Sequence, residues 1–233
     1  MDSLIKRPAY TVADTGRLIG LTPGRIRRWL HGYSYEWGPP ENRKHGSQPP
    51  VIKGFRKTGE RLASFLDLME LLFAKSFLDS GVSLRKVRTA LEEAKQFTKS
   101  DHPFASHQFY AWGKGLVLEL PFRESPVLVE LLTHGQTVIR PVVLEHALKI
   151  DFETSGNIAS AWWPQGKGNP VVLNPKVCFG APSIVGRGIK TNNVFDMYIG
   201  EGGDVDAVCS WFEIDRREVL AAVEFEENLR SAA

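Results

Sequence analysis

Apolar positions set two short helical faces near the start of the chain. Val12, Leu18 and Ile19 form the first, and Ile26, Trp29 and Leu30 recur at the i, i+3, i+4 spacing of the second. Gly20 can supply the positive φ of a tight joint between them, Thr22 stands at an N-cap position, and Pro23 follows at the first helical residue, where its missing N–H is harmless. Residues 31–61 break this rhythm with Gly, Pro, Tyr and basic side chains; two β-prone pieces, 50–53 and 61–65, flank a turn at Lys57-Thr58-Gly59. Ser64 with Asp67 then caps a heavily apolar helix over 65–80, Gly81 stops it, and Ser83 opens another with Leu84, Val87, Leu91 and Ala94 on one side. That helix fades at Phe97, before the break at Asp101-His102-Pro103.

The pattern changes after residue 104. Residues 109–112 and 116–120 bracket Gly113-Lys114-Gly115 as a β-hairpin, short helices are predicted over 127–132 and 142–148, and Trp162 and Trp163 suit a core better than an interface. From Val171 an apolar strand and a Pro/Gly-rich stretch lead into three short helices, 192–199, 205–212 and 216–229. Asp215 caps the last, which turns Val219, Leu220, Val223 and Leu229 inward. The expectation is a mainly α protein with small β elements in three parts: a helical unit over 1–100, a connector with a β-hairpin over 101–170, and a helical bundle over 171–233.

The first two helices around their turn have the form of a helix-turn-helix, which leaves the arginines of the second on its outer side. A recognition helix places its N-terminal residues at base edges in the major groove, where arginine bridges O6 and N7 of guanine. Thr22, Arg25 and Arg28 are the candidates for that role. Arg27, Arg43, Lys44, Lys53, Arg56 and Lys57, several of them on a wing-like hairpin, are candidates for phosphates. A solvated basic face is the plain alternative for any one of them.

Charge sharpens this division. Residues 1–61 hold 12 Lys+Arg against 5 Asp+Glu, 62–195 hold 14 against 12, and 196–233 hold 3 against 10, so a net of +2 conceals a head of +7 and a tail of −7. Phosphate neutralisation favours the head as the nucleic-acid end, while an acidic tail suits a basic protein partner or is simply a solvated helix face. With 42% hydrophobic and 24% charged residues, no apolar run of membrane-spanning length and no secretory leader pattern, the chain is expected in the cytosol. Cys178 and Cys209 are too few for a disulfide framework or a zinc site and read as small buried hydrophobes. Gly166-Lys167-Gly168 lacks the spacing of a phosphate loop; with no nucleophile elbow or metal-ligand cluster, neither enzymatic activity nor a cofactor is expected.

Two resemblances add to this reading. The segments YTVADTGRLIGLTPGRIRRWL and SFLDLMELLFAKSFLDSGVSLRKVRTALEEA resemble the MerR-type winged helix-turn-helix, although the wing is long and proline-rich, no long coiled coil follows, and the metal-binding cysteines of MerR sensors are absent. From Asn174-Pro175 through Gly180-Ala181-Pro182, Gly186-Arg187-Gly188 and Thr191 to the last two helices, the chain resembles a domain family, originally of unknown function, that recurs in VapB-type antitoxins. It departs at Gly200-Glu201-Gly202-Gly203, where the turn is looser. The resemblance implies an antitoxin that neutralises a VapC-like PIN-domain ribonuclease and represses its own operon, as a homodimer and as a hetero-oligomer with the toxin. Arg187, Trp211, Phe212, Glu224, Glu226 and Glu227 are the candidates for the toxin or dimer interface. The alternative is a stand-alone dimeric MerR-like transcription regulator responding to an unknown ligand.

Overall fold

Side-chain caps set where the helices begin. The computed structural model describes residues 4–52, 55–57, 60–106, 145, 148–153 and 158–231. At the start of α1 (Val12–Ile19), Thr11 and Asp14 each satisfy the other's backbone N–H, and Gly20, at φ 67°, ends the helix in the left-handed conformation. α2 (Pro23–His31) starts after Thr22, whose backbone takes the N-cap conformation while its hydroxyl makes no capping bond. Ile26, Trp29 and Leu30 are buried as the spacing predicts, and Arg25, Arg27 and Arg28 are exposed.

Five strands precede or follow this pair. β2 (Tyr33–Trp37) and β3 (Lys44–Gln48) form a two-stranded antiparallel hairpin of their own. β4 (Phe55–Lys57) and β5 (Glu60–Ser64) join β1 (Pro8–Thr11) in an antiparallel sheet of order β1-β5-β4. The strand expected over 50–53 is not one. Val51 and Ile52 are instead buried, and both their N–H groups donate to the Trp29 carbonyl at 2.7 and 3.1 Å, tying the chain to the end of α2. Lys53 lies outside the described residues, and Arg56 and Lys57 lie on β4.

α3 (Phe65–Asp79), with its Ser64–Asp67 capping box, runs through the core, and α4 (Leu84–Thr98) starts at Ser83, whose hydroxyl accepts from the Lys86 N–H. Phe73 packs against Phe77 and Phe104 with ring centroids 4.6 and 5.0 Å away. Glu70 is fully buried on the same helix. One of its oxygens accepts the Ala105 N–H at 3.0 Å, and the other has no partner among the described residues.

The predicted hairpin over 109–120 and helix over 127–132 lie outside the described residues; of 142–148, Glu145 and Leu148 are helical. The second half of the chain corrects the mainly α expectation, because the molecule is mixed α/β. β6 (Ile150–Phe152), β7 (Ala159–Trp162), β8 (Val171–Leu173), β9 (Pro182–Ile184) and β10 (Ile189–Lys190) form an antiparallel sheet in the order β10-β9-β8-β7-β6. Strands of two to four residues are too short to display an alternating pattern.

Three helices complete the fold: α5 (Thr191–Gly200), α6 (Val205–Phe212) and α7 (Arg216–Ser231). Asp204 caps α6, and Asp215 exchanges hydrogen bonds with Glu218 at the start of α7. α7 buries Val219, Ala222, Val223 and Phe225 as a continuous stripe, and Leu220, expected inside, falls beside that stripe and is exposed. Both cysteines are free and only partly buried, not the core residues expected. The buried apolar cluster runs from Ile5 to Phe225, and the buried Tyr10 hydroxyl donates to the Gly180 carbonyl at 2.8 Å, joining β1 to the C-terminal half.

Candidate nucleic-acid and partner interfaces

The outer side of α2 presents three arginines, and two of them are held. Arg25 lies over the Trp29 ring, with its guanidinium carbon 5.2 Å from the centroid, and Arg28 lies over Tyr33 at 5.7 Å. Because Trp29 is anchored in the core, Arg25 has a rigid support, and its planar head is presented to solvent with part of its rotamer freedom already spent. The free hydroxyl of exposed Thr22 sits one turn earlier. Thr22, Arg25 and Arg28 therefore follow one another at three-residue spacing along the exposed side of α2, from its N-cap to its last turn, with Thr22 and Arg25 at the N-terminal end that a base-reading helix presents.

The phosphate candidates are dispersed. Arg43 donates to Glu36 at 3.1 Å, and His45 Nδ1 lies 3.2 Å from the other oxygen of the same carboxylate, so Arg43 is largely neutralised in place. Lys44 is exposed on β3 without that carboxylate. A feature not anticipated from the sequence lies beside them: Tyr33, Tyr35 and Trp37 alternate along β2, remain 40–47% exposed, and stand with centroids 5.9 and 5.3 Å apart. The every-second-residue aromatic spacing of YSYEW was the available signal.

At the opposite end the six interface candidates divide. Trp211 is 71% exposed at the end of α6, and Glu224 and Glu227 are exposed on α7. Phe212 is half-buried against the core. Glu226 is a correction: it is buried, and it accepts a 2.5 Å hydrogen bond from the Thr191 hydroxyl, so it ties α7 to α5 and offers nothing to a partner. Arg187, an interface candidate between Gly186 and Gly188, is half-exposed in the turn and bound too. Its Nε and Nη2 donate to the two oxygens of Glu218 at 3.1 and 3.3 Å, and this pairing holds the guanidinium's pKa above its ordinary value.

Glu218 thus performs three tasks, accepting from the Asp215 N–H, receiving the Asp215 cap, and anchoring the β9–β10 turn. Glu218→Ala is expected to lower unfolding stability by about 1–2 kcal/mol, the range for loss of a cap with its bonds. Urea denaturation checks this, and an unchanged midpoint would show that the turn and helix hold without it.

A cavity of about 450 Å³ lies between α1 and the C-terminal helices. Its walls include Tyr10, Asp14, Arg17, Lys190, Asp196 and Arg230. Arg230 is paired with Asp196 at 3.3 Å and stacked over Phe195 at 3.8 Å, and Arg17 is paired with Asp14. Among the described residues no group of three or more His, Cys, Asp or Glu is placed to hold a metal, and no helix is long and apolar enough to cross a membrane.

Comparison with known proteins places these features in context. Residues 171–225 match the family described as a protein of unknown function (DUF433). The chain is 24% identical over 197 residues to a Mycobacterium tuberculosis protein named "Putative antitoxin VapB45", covering 80% of this chain and 81% of that one. It is 21% identical over 240 residues to "Uncharacterized protein Rv2308" of the same organism, covering 99% and 94%. The crystal structure of Rv2018 from Mycobacterium tuberculosis superposes with a TM-score of 0.67 at 19% identity, covering 93% of this chain and 98% of that one. That likeness extends over nearly the whole chain and concerns the fold.

Proposed function

We propose that this protein is the antitoxin of a toxin–antitoxin pair. It binds and neutralises a VapC-like PIN-domain ribonuclease through its C-terminal face, represses its own operon through α2, and has no enzymatic activity. On this reading residues 1–100 are a MerR-like DNA-binding unit, 101–170 a connector and 171–233 the toxin-binding unit of a cytoplasmic homodimer. The observation that carries the reading is the separation of exposed chemistry: braced arginines on one helix near the N-terminus, and an exposed tryptophan with exposed acids on the last two helices. The distant antitoxin relative supports the same assignment. A ribonuclease that binds RNA presents a basic groove, and an acidic surface complements it.

The test is coexpression with the product of the adjacent reading frame. A stable complex in which ribonuclease activity is suppressed is the expected result, and no complex with a ribonuclease-like neighbour would end the antitoxin reading. Trp211→Ala should leave the melting temperature unchanged, because the side chain is mostly in water, while weakening that complex by about 10- to 100-fold, the effect of removing an aromatic anchor. Wild-type toxin affinity in this variant would move the interface elsewhere.

The cavity against α1 favours a second reading, a dimeric MerR-like regulator that answers to a small ligand. It predicts a metabolite that raises the melting temperature and changes DNA affinity with no toxin present.

A further inference from the structure

The β2–β3 hairpin has two unlike faces. Tyr33, Tyr35 and Trp37 share one, and the strand register places Gln48, Gly46 and Lys44 opposite them on that same face. Glu36 falls on the other face with His45 and Arg43, where its charge is matched. Glu41 lies in the turn between the strands. The aromatic face therefore carries Lys44 and no carboxylate from either strand, and at its root Arg28 of α2 rests on Tyr33.

Gly46 keeps this face flat. A β-carbon there would come within 2.8 Å of Trp37 Cζ3 and of Tyr35 Cζ, so the two rings fold over the bare backbone of β3 and leave area in water. Three large rings in a row, each at least 40% exposed, form a contiguous apolar patch of the kind that marks an interaction surface. The patch adjoins cations, and a two-fold, head-to-head contact with a second copy of this chain would bring the same basic head against it, which charge opposes. A polyanion with flat apolar surfaces fits both properties.

We propose that the Tyr33–Tyr35–Trp37 face is a second contact to duplex DNA, continuous with α2 through Arg28; this rests on the reading of α2 as a DNA-binding helix. The rings pack against deoxyribose and groove wall beside the segment that α2 reads, and Lys44 meets a phosphate. The hairpin lengthens the footprint and adds affinity that salt does not remove, since the rings carry no charge.

The experiment uses the full chain and a fluorescent duplex of about 40 base pairs, long enough for two half-sites, taken from upstream of its own reading frame. A shuffled duplex and an oligothymidine of about 30 nucleotides, a stacking probe, are run beside it. Tyr35→Ala with Trp37→Ala should weaken binding to both duplexes by about tenfold, about 1.4 kcal/mol shared between the two rings, with the dependence on salt unchanged. Lys44→Glu leaves the rings in place and should weaken binding while reducing the salt dependence. Wild-type duplex affinity in the ring variant, with binding still lost in Arg25→Ala/Arg28→Ala, would overturn the second contact and leave the role of α2 standing. Loss of oligothymidine binding alone would make the face a single-strand platform and overturn the duplex proposal. No duplex binding by the wild type would remove both.

Discussion

Replacing Arg25 and Arg28 together with alanine is expected to abolish sequence-specific DNA binding. Each arginine that bridges a guanine contributes about 1–3 kcal/mol of discrimination, so the pair should lower affinity for the upstream duplex by about two to four orders of magnitude. Both guanidiniums are braced, over Trp29 and over Tyr33, so part of the side-chain entropy cost of binding is met beforehand, which favours the effect. Arg27, exposed on the same helix, should behave as a phosphate contact: Arg27→Ala weakens specific and shuffled duplexes alike and reduces the salt slope by about one. Electrophoretic mobility shifts at several salt concentrations read all three effects. Equal losses on specific and shuffled DNA for the Arg25/Arg28 variant would reduce α2 to a backbone contact.

Glu70→Gln is expected to stabilise the protein at alkaline pH and leave it unchanged in acid. Burial, assisted by the neighbouring Asp67 charge, pushes the Glu70 carboxyl up from 4.5 to about 8, against the pull of the Ala105 and Phe104 N–H groups and Lys95. The folded state therefore keeps a proton that the unfolded chain has released. Its contribution to stability is complete below about pH 4.5, is lost as pH rises through the interval, and is gone above about 8. Each pH unit of that interval carries about 1.4 kcal/mol at most, so glutamine, which retains the oxygen that accepts from Ala105, should add on the order of 2–4 kcal/mol at pH 8.5.

His102 stands nearby, with Nδ1 3.9 Å from Asp67, too far for a hydrogen bond. Burial holds its pKa below the ordinary value, which costs stability on the acid side instead. Urea midpoints of wild type and variant across pH 5–9 separate the two groups, because only the Glu70 component vanishes in the variant. Parallel curves would mean that the buried carboxylate is solvated or compensated.

The helices were legible because their signals are local. Ser64 and Asp67, Ser83, Asp204 and Asp215 each bond to backbone within three residues of themselves, and the predicted helix starts that fall among the described residues lie within a residue of those observed. Of the C-terminal sheet only the apolar strand at Val171–Leu173 was legible; its neighbours Ala159–Trp162 and Pro182–Ile184 are short, mixed in character and gain strand identity from pairing with it. Residues 50–53 misled for a related reason: Val51 and Ile52 are apolar because they plug the end of α2, which a propensity for β structure also explains.

At the candidate site, residue type and spacing located the arginines of α2 but not what supports them. Arg28 meets an aromatic ring on a different element, and Glu226 looks like its exposed neighbour Glu227 until Thr191 is brought to it from 35 residues away. Charge along a helix names its solvated face only where no distant partner claims a member of the run.

The Tyr10–Gly180 hydrogen bond bears on how such a chain can be inherited. Gly180 holds φ 84°, and a β-carbon there would stand 2.6 Å from the Tyr10 hydroxyl, so the loop and the first strand must match to within an atom. A recombinant that took its first hundred residues from one relative and the remainder from another would have to fit a phenol to a bare backbone across that seam. Exchange of the head alone therefore requires an incoming residue at position 10 that fits the bare backbone at position 180, so one contact constrains which heads this C-terminal half can accept.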